Sequence, residues 1–146
     1  MNWYTRVTLN LAVLPDFIQH YEQELLNAKQ DSGIRGNVEK NLAALPGITE
    51  QRFNQLQEIE AVLNYLNIQL RKIRSQTFKK YLENYNRQLS SRDAERYVDG
   101  ESDVIDMETL VNEVALMRNR WLGILKGLEA KPVSYTHLTL PTNREV

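Results

Sequence analysis

The 146-residue chain contains no cysteine, and this absence excludes several classes of protein. Disulfide frameworks, cysteine metal sites and cysteine nucleophiles all need a thiol. Long hydrophobic runs are also missing, because no uninterrupted run, such as Leu11 to Leu14, exceeds four residues. A bilayer-spanning helix needs about 20 apolar residues. We therefore expect no membrane association, and a chain without thiols suits a reducing cytoplasm.

Histidine is scarce as well, since the chain has only His20 and His137. His20 lies on the polar side of a predicted helix. The chain has no cysteine to act with it, and His137 lies in a C-terminal stretch that is set aside below. Ser90 and Ser91 are better explained as a helix stop and an N-cap than as nucleophiles without a base. We expect no catalytic residue, no cofactor and no enzymatic activity.

One acidic stretch, Asp99 to Asp103, begins like a calcium-binding loop. Such loops need glycine at the sixth position and glutamate at the twelfth. Val104 and Leu110 occupy these positions here. No metal site is predicted.

Glycine and proline are few, at six and four residues, and they divide the N-terminal part of the chain. A helix is predicted over residues 15–30, and a shorter one over residues 37–45, closed by Pro46 and Gly47. The alternating stretch VTLNLAV, residues 7–13, is compatible with a short strand.

Beyond Gly47 the chain has no proline or glycine before Gly100, so one long helix is predicted there. Thr49 is expected to cap it, and apolar residues from Phe53 onward recur at steps of three and four. A helix of about 40 residues would be about 60 Å long. A last helix, capped by Asp103 or Asp106 and extending to about Lys131, carries a second stripe of the same kind.

These two heptad-like stripes predict an all-α fold, a long helical hairpin with a smaller N-terminal helical part. The expected division is residues 1–47 and 48–131, with a basic segment at 71–92 and an acidic connector at 93–106. Stripes of this kind favour packing between helices, and we expect a homo-oligomer. The predicted oligomer interface consists of Leu63, Leu66, Leu70, Ile73, Val114, Met117, Trp121 and Ile124.

The C-terminal sequence VSYTHLTLPT, residues 133–142, resembles the translation of a transposon-end adaptor used in sequencing libraries. The alternative is an ordinary threonine-rich extended tail. We set residues 133–146 aside from functional reasoning, and we expect the natural chain to continue differently beyond Lys131.

Positive charge is concentrated in residues 71–92, which contain seven basic residues and one acid. The net charge of this segment is +6, so the other 124 residues carry −7 within a total of −1. At 100° per residue most of these cations point away from the apolar stripe.

Cations beside aromatic rings suit sequence-tolerant binding of single-stranded DNA, because phosphates attract charge and unstacked bases attract flat rings. Alternatively, the rings extend the core and the cations only solvate the other face. The candidate DNA-binding residues are Arg71, Lys72, Arg74, Lys79, Lys80, Tyr81, Tyr85 and Arg87.

Negative charge follows immediately, with eight acids against one base between Asp93 and Glu113. These acids can cap the last helix and keep the connector solvated. Alternatively, they can pair with the basic segment of a neighbouring subunit or compete with nucleic acid for it.

Three stretches between about Gln55 and Lys131 resemble the UvsY family of bacteriophage recombination mediator proteins: LRKIRSQTFKKYLENYNR, YVDGESDVIDMETL and NRWLGILKGLEAK. The resemblance implies a small all-helical homo-oligomer that binds single-stranded DNA in the cytoplasm of a phage-infected bacterium. It also implies contacts with a recombinase and a single-strand-binding protein, whose exchange on DNA the mediator assists. Lys79, Lys80, Tyr81 and Tyr85 occupy places comparable to DNA-binding residues of that family.

The sequence therefore leaves two alternative functions. The first is a recombination mediator that helps to load a recombinase onto single-stranded DNA covered by single-strand-binding protein. The second is a structural or assembly protein, such as a coiled-coil adaptor or virion component, that does not bind DNA.

Overall fold

A computed structural model describes the backbone of residues 2–31, 38–84 and 90–144, and the side chains of residues 2–30, 43–84 and 90–130. Five α-helices account for nearly all of it, and the described residues contain no strand. The helices are α1 (Trp3–Leu9), α2 (Leu14–Asp31), α3 (Val38–Asn84), α4 (Ser91–Asp99) and α5 (Ser102–Arg144). The prediction of an all-α fold is confirmed.

The chain divides into two compact units. The first comprises Met1–Glu60 with Met117–Val146, and the second comprises Ala61–Leu116. The boundary expected between residues 47 and 48 lies inside α3, within the first unit. Helices α3 and α5 each contribute residues to both units.

The N-terminal stretch is helical rather than extended, so the predicted strand at residues 7–13 is wrong. The Asn2 side chain caps α1 by accepting a hydrogen bond from the Thr5 backbone N–H at 2.8 Å. Asn10 is extended and ends α1, and its side chain accepts from the Ala12 N–H at 3.1 Å to begin a short 3-10 turn. Two asparagine caps therefore outweigh an alternation of only seven residues.

Helix α2 matches the prediction closely, but the chain does not break at Pro46. Pro46 lies inside α3, and Thr49 is a residue of that helix instead of its N-cap. An interior proline removes one backbone hydrogen bond and costs about 3 kcal/mol. Leu45, 5% exposed, is buried beside the proline and helps to offset that cost.

The core of the first unit combines aliphatic side chains with a chain of edge-on aromatic rings. The centroids of Phe17 and Tyr21 are 5.0 Å apart, and those of Tyr21 and Trp121 are 5.8 Å apart. Edge-on pairs of this kind add to the burial energy of the rings. The buried apolar residues of this unit are Val7, Leu14, Phe17, Tyr21, Leu25, Ala28, Leu45, Leu56, Ile59, Met117, Trp121, Leu125 and Leu128.

In the second unit α3 and α5 run antiparallel. Tyr81 contacts Glu101. Arg74 lies seven residues before Tyr81 and contacts Glu108, which lies seven residues after Glu101, so the two segments run in opposite directions. Helix α4 lies between them in sequence, and Ser90 caps it by accepting from the Asp93 N–H at 3.2 Å. The helical hairpin and the N-cap at Ser90 thus agree with the prediction.

The two ends of α5 differ from expectation. The Ile105 N–H donates to the Glu101 carbonyl at 3.0 Å, so α5 begins at Ser102. Asp103 and Asp106 therefore lie inside the helix and do not cap it. The chain turns at Gly100, directly after α4, so only Gly100 and Glu101 separate α4 from α5. At the other end, the backbone of α5 continues past Lys131 to Arg144.

The residues predicted to form an oligomer interface are mostly buried within the single chain. Leu66, Val114 and Trp121 are 0% exposed, and Leu63 and Met117 are nearly so. Leu70, Ile73 and Ile124 are half-buried. The helices of the single chain therefore already bury most of the predicted interface and leave little of the two stripes exposed to another subunit.

Candidate nucleic-acid interface

Three cations of α3 form an exposed face. Arg71, Lys72 and Lys79 are all exposed. At 100° per residue they fall within an arc of about 100°, on the side opposite Leu66 and Leu70. Among the side chains that the structure describes, no carboxylate lies within 4.0 Å of these three. We call these three residues the basic face.

Arg74 is placed differently, because two carboxylates hold it. Its guanidinium nitrogens lie 2.7 Å from Asp99 Oδ1 and 3.2 Å from Glu108 Oε1. The hydrogen bond to Asp99 is the main reason that the pKa of Arg74 is raised, and partial burial only opposes it. Arg74 is therefore charge-neutralised by its own chain, unlike the sequence-based expectation.

Lys80 and Tyr81 both meet a third carboxylate, that of Glu101. The Tyr81 hydroxyl donates to Glu101 Oε2 at 2.6 Å, and Lys80 Nζ lies 3.9 Å from Glu101 Oε1. The Tyr81 ring also stacks on Tyr97, with centroids 5.3 Å apart and planes inclined by 25°. One face of the Tyr81 ring is therefore already covered by Tyr97 and is not free to stack on a base.

The acidic connector thus pairs with the basic segment of the same chain. Asp99 and Glu101 of the connector, and Glu108 just beyond it, supply the carboxylates, across 20 to 34 residues of sequence. Asp93 and Asp103 lie in the first turns of α4 and α5, where a negative charge stabilises the helix. The acids therefore stabilise the starts of two helices without capping α5, and three of them pair with cations of the same chain, whereas the sequence analysis considered pairing with a neighbouring subunit.

A cavity of about 230 Å³ opens beside Arg74 between α3 and α4. Phe78, which is half-buried, and Val98 provide apolar walls, while Ser75 and Glu95 add polar groups. Two further candidate residues, Tyr85 and Arg87, lie outside the described residues.

The sequence analysis missed a polar cluster in the first unit. Arg52, 5% exposed, donates to Glu24 Oε2 and to Gln55 Oε1, both at 2.8 Å. Arg52 precedes Leu56 by four residues, so the periodicity of the apolar stripe of α3 could have predicted that Arg52 lies on the buried side of that helix. Phe53, which was assigned to the stripe, is instead 47% exposed.

A second, partly buried hydrogen bond lies close to this cluster. Tyr21 donates its hydroxyl proton to Glu58 Oε1 at 2.8 Å. Burial is the main cause that raises the pKa of Tyr21, and the neighbouring carboxylate raises it further. The hydroxyl therefore remains a proton donor. Arg52 also lies 5.8 Å from the Trp121 ring centroid, which joins this cluster to the aromatic core.

Two negative findings complete the description. Within the described side chains, no three His, Cys, Asp or Glu residues are grouped so that they could hold a metal ion. No helix in the described part of the chain combines the length and apolarity that crossing a membrane requires.

Together, the fold and the site define an all-α protein with a solvent-facing basic surface beside an internally paired one. No family model, curated protein or solved structure matches this chain.

Proposed function

We propose that this protein binds single-stranded DNA through the basic face of α3 and acts as a recombination mediator. The observation that supports binding is the exposure of Arg71, Lys72 and Lys79 without carboxylate partners in the described part of the chain. Lys72 and Lys79 are about 10 Å apart along the helix axis. A flexible phosphate backbone can follow cations spaced in this way, and such contacts do not depend on base sequence.

The mediator role follows from the resemblance to the UvsY family. In that role the protein would contact a recombinase and a single-strand-binding protein in the cytoplasm of an infected bacterium. Oligomerisation would multiply a weak contact per subunit into strong binding, because linked sites raise the effective concentration. No catalytic step or cofactor is needed for this function.

A structural or assembly role without DNA binding is the second candidate. Ile68, Leu82, Ile105 and Leu116 are large apolar residues of the second unit that are each at least 41% exposed. Exposed apolar residues on rigid helices suit contacts with another protein. In this case the basic face would only keep α3 solvated.

The two candidates differ in how binding depends on salt. We expect the wild type to bind fluorescent oligo(dT), and three phosphate contacts predict a log–log slope near −2. Replacing Arg71 and Lys79 by alanine should weaken binding and make the slope less steep by about 1.4. Fluorescence anisotropy at several salt concentrations measures both quantities.

The matched control replaces one arginine and one lysine elsewhere, Arg120 and Lys126, which are also exposed. Its net charge equals that of the double variant, and its slope should stay at the wild-type value. Equal losses in both variants would mean that only net charge matters. Failure of the wild type to bind DNA at low salt would favour the assembly role.

A further inference from the structure

Three groups beside the basic face contact carboxylates of the same chain at two places: Arg74 contacts Asp99 and Glu108, whereas Lys80 and Tyr81 contact Glu101. Arg74 and Lys80 supply positive charge, and Tyr81 supplies a hydroxyl donor. We call this set the paired anion site. All its residues, and the carboxylates that they contact, lie within the second unit.

Carboxylate and phosphate oxygens are recognised by the same donors. A guanidinium binds either anion through parallel N–H groups, and an ammonium or a hydroxyl completes the set. Arg74 at one place, and Lys80 with Tyr81 at the other, are therefore donors that suit a phosphate, but Asp99 and Glu108 already contact the first and Glu101 already contacts the second. Both acids flank Gly100, at the junction of α4 and α5.

We propose that Asp99 and Glu101 act as internal competitors of phosphate, which must displace them before single-stranded DNA can contact Arg74, Lys80 and Tyr81. This inference rests on the proposed function and adds a means of regulating the same surface. The basic face would make the first contact, and the paired anion site would engage only when enough phosphates are present.

The contacts are weak enough for such a displacement. The side chains of Asp99 and Lys80 are 64% and 61% exposed, their partners Arg74 and Glu101 are 34% and 25% exposed, and Lys80 lies 3.9 Å from its partner, so each pair keeps one side in water. Exposed ion pairs contribute at most about 1 kcal/mol each. A polyanion that already contacts Arg71 and Lys79 gains further phosphate contacts at a high effective concentration.

The test neutralises the competitors while nearly preserving their shape. Asp99→Asn with Glu101→Gln should bind oligo(dT) about fivefold more tightly than the wild type, as expected if two exposed ion pairs stop competing. Glu108 is left in place so that Arg74 keeps one partner and its position. Anisotropy titrations at one fixed salt concentration measure the change.

A matched control makes the same change of charge at acids that contact none of these cations. Asp106→Asn with Glu113→Gln alters one aspartate and one glutamate, both exposed residues of α5. Its affinity should rise less than twofold, because only long-range repulsion is reduced. Equal gains in the two double variants would overturn the inference.

Inorganic tripolyphosphate provides a readout that does not depend on DNA. Calorimetric titration should show about fivefold tighter binding to the Asp99 and Glu101 double variant than to the control. If no variant binds DNA but tripolyphosphate shows this difference, the proposed function fails and the paired anion site stands. If the wild type binds DNA but neither ligand binds the double variant more tightly, the inference fails and the proposed function stands.

Loss of folding is checked separately. Urea denaturation should show that both double variants unfold cooperatively. Glu101→Gln alone retains an oxygen that can accept from the Tyr81 hydroxyl, and it serves if the double variant is unstable. The single variant should then show about twofold tighter binding of both ligands, and no gain would overturn the inference.

Discussion

The buried Arg52 is the residue on which the polar cluster of the first unit depends. Its side chain is 6% exposed and contacts the Glu24 carboxylate, which is 24% exposed. A buried charge is tolerated only when its hydrogen bonds are satisfied. Glu24 and Gln55 supply these acceptors from α2 and α3, and so they fix how the two helices meet at this point.

Glu24 should make folding stability depend on pH. Partial burial by itself would raise its pKa, but hydrogen bonds from Arg52 and Gln55 outweigh that effect, so the pKa is lowered from 4.5. The unfolded chain therefore binds the proton more readily, and the stabilisation is present above about pH 4.5 and lost as the pH falls through the folded value.

We expect Glu24→Gln to reduce the loss of stability between pH 6 and pH 3. Urea denaturation at each pH measures the free energy of unfolding, and Glu22→Gln, at an exposed position of the same helix, is the control. An unchanged pH dependence in Glu24→Gln would contradict the assigned role of the ion pair.

At the level of elements, α3 combines a proline with an otherwise favourable helical sequence. Pro46 cannot donate to the carbonyl of Leu42, four residues earlier, and its ring crowds the preceding turn. Helix α3 nevertheless extends over 47 residues. Packing of its apolar stripe therefore outweighs a local preference to stop.

Pro46→Ala should stabilise the protein by about 1–3 kcal/mol, since it restores a backbone N–H and removes the ring clash. Urea denaturation measures the change. Gly47→Ala is a useful comparison, because a Cβ added there meets no atom within 4 Å. Its gain should be smaller, about 1 kcal/mol from helix propensity. A destabilised Pro46→Ala variant would show that the ring itself makes a needed contact.

At the level of the whole molecule, a homo-oligomer stays a prediction, and most residues of its predicted interface are buried within the chain. The apolar stripes of α3 and α5 are largely buried within the chain. Exposed apolar residues are the remaining candidates. Ile105 and Leu116 are 45% and 52% exposed, and eleven residues, or about three turns, place them on one face of α5.

We expect the wild type to sediment as an oligomer, and Ile105→Lys with Leu116→Lys to shift it towards the monomer. Burying two lysines in an interface costs more than burying two apolar side chains gains. The control is Leu9→Lys with Leu26→Lys, which changes two exposed leucines of the first unit. A wild type that is monomeric at all concentrations would contradict the oligomer, and an unaffected double variant would contradict this interface.

The sequence by itself determined the helical character, the cap at Ser90 and the segregation of charge. These features depend on neighbours within a few residues, because hydrogen bonds and side-chain periodicity along a helix are local. The exposure of Arg71, Lys72 and Lys79 could be predicted for the same reason: their position on the wheel relative to Leu66 and Leu70 decides it.

Only the tertiary structure decided which charges remain available. Arg74 meets Asp99 and Glu108, and Tyr81 meets Glu101, across 20 to 34 residues of sequence, and no local pattern specifies such pairs. The same holds for the burial of Arg52 and for the continuation of α3 through Pro46. In each case packing between distant segments supplies free energy that exceeds the local preference, so the outcome depends on the assembled fold.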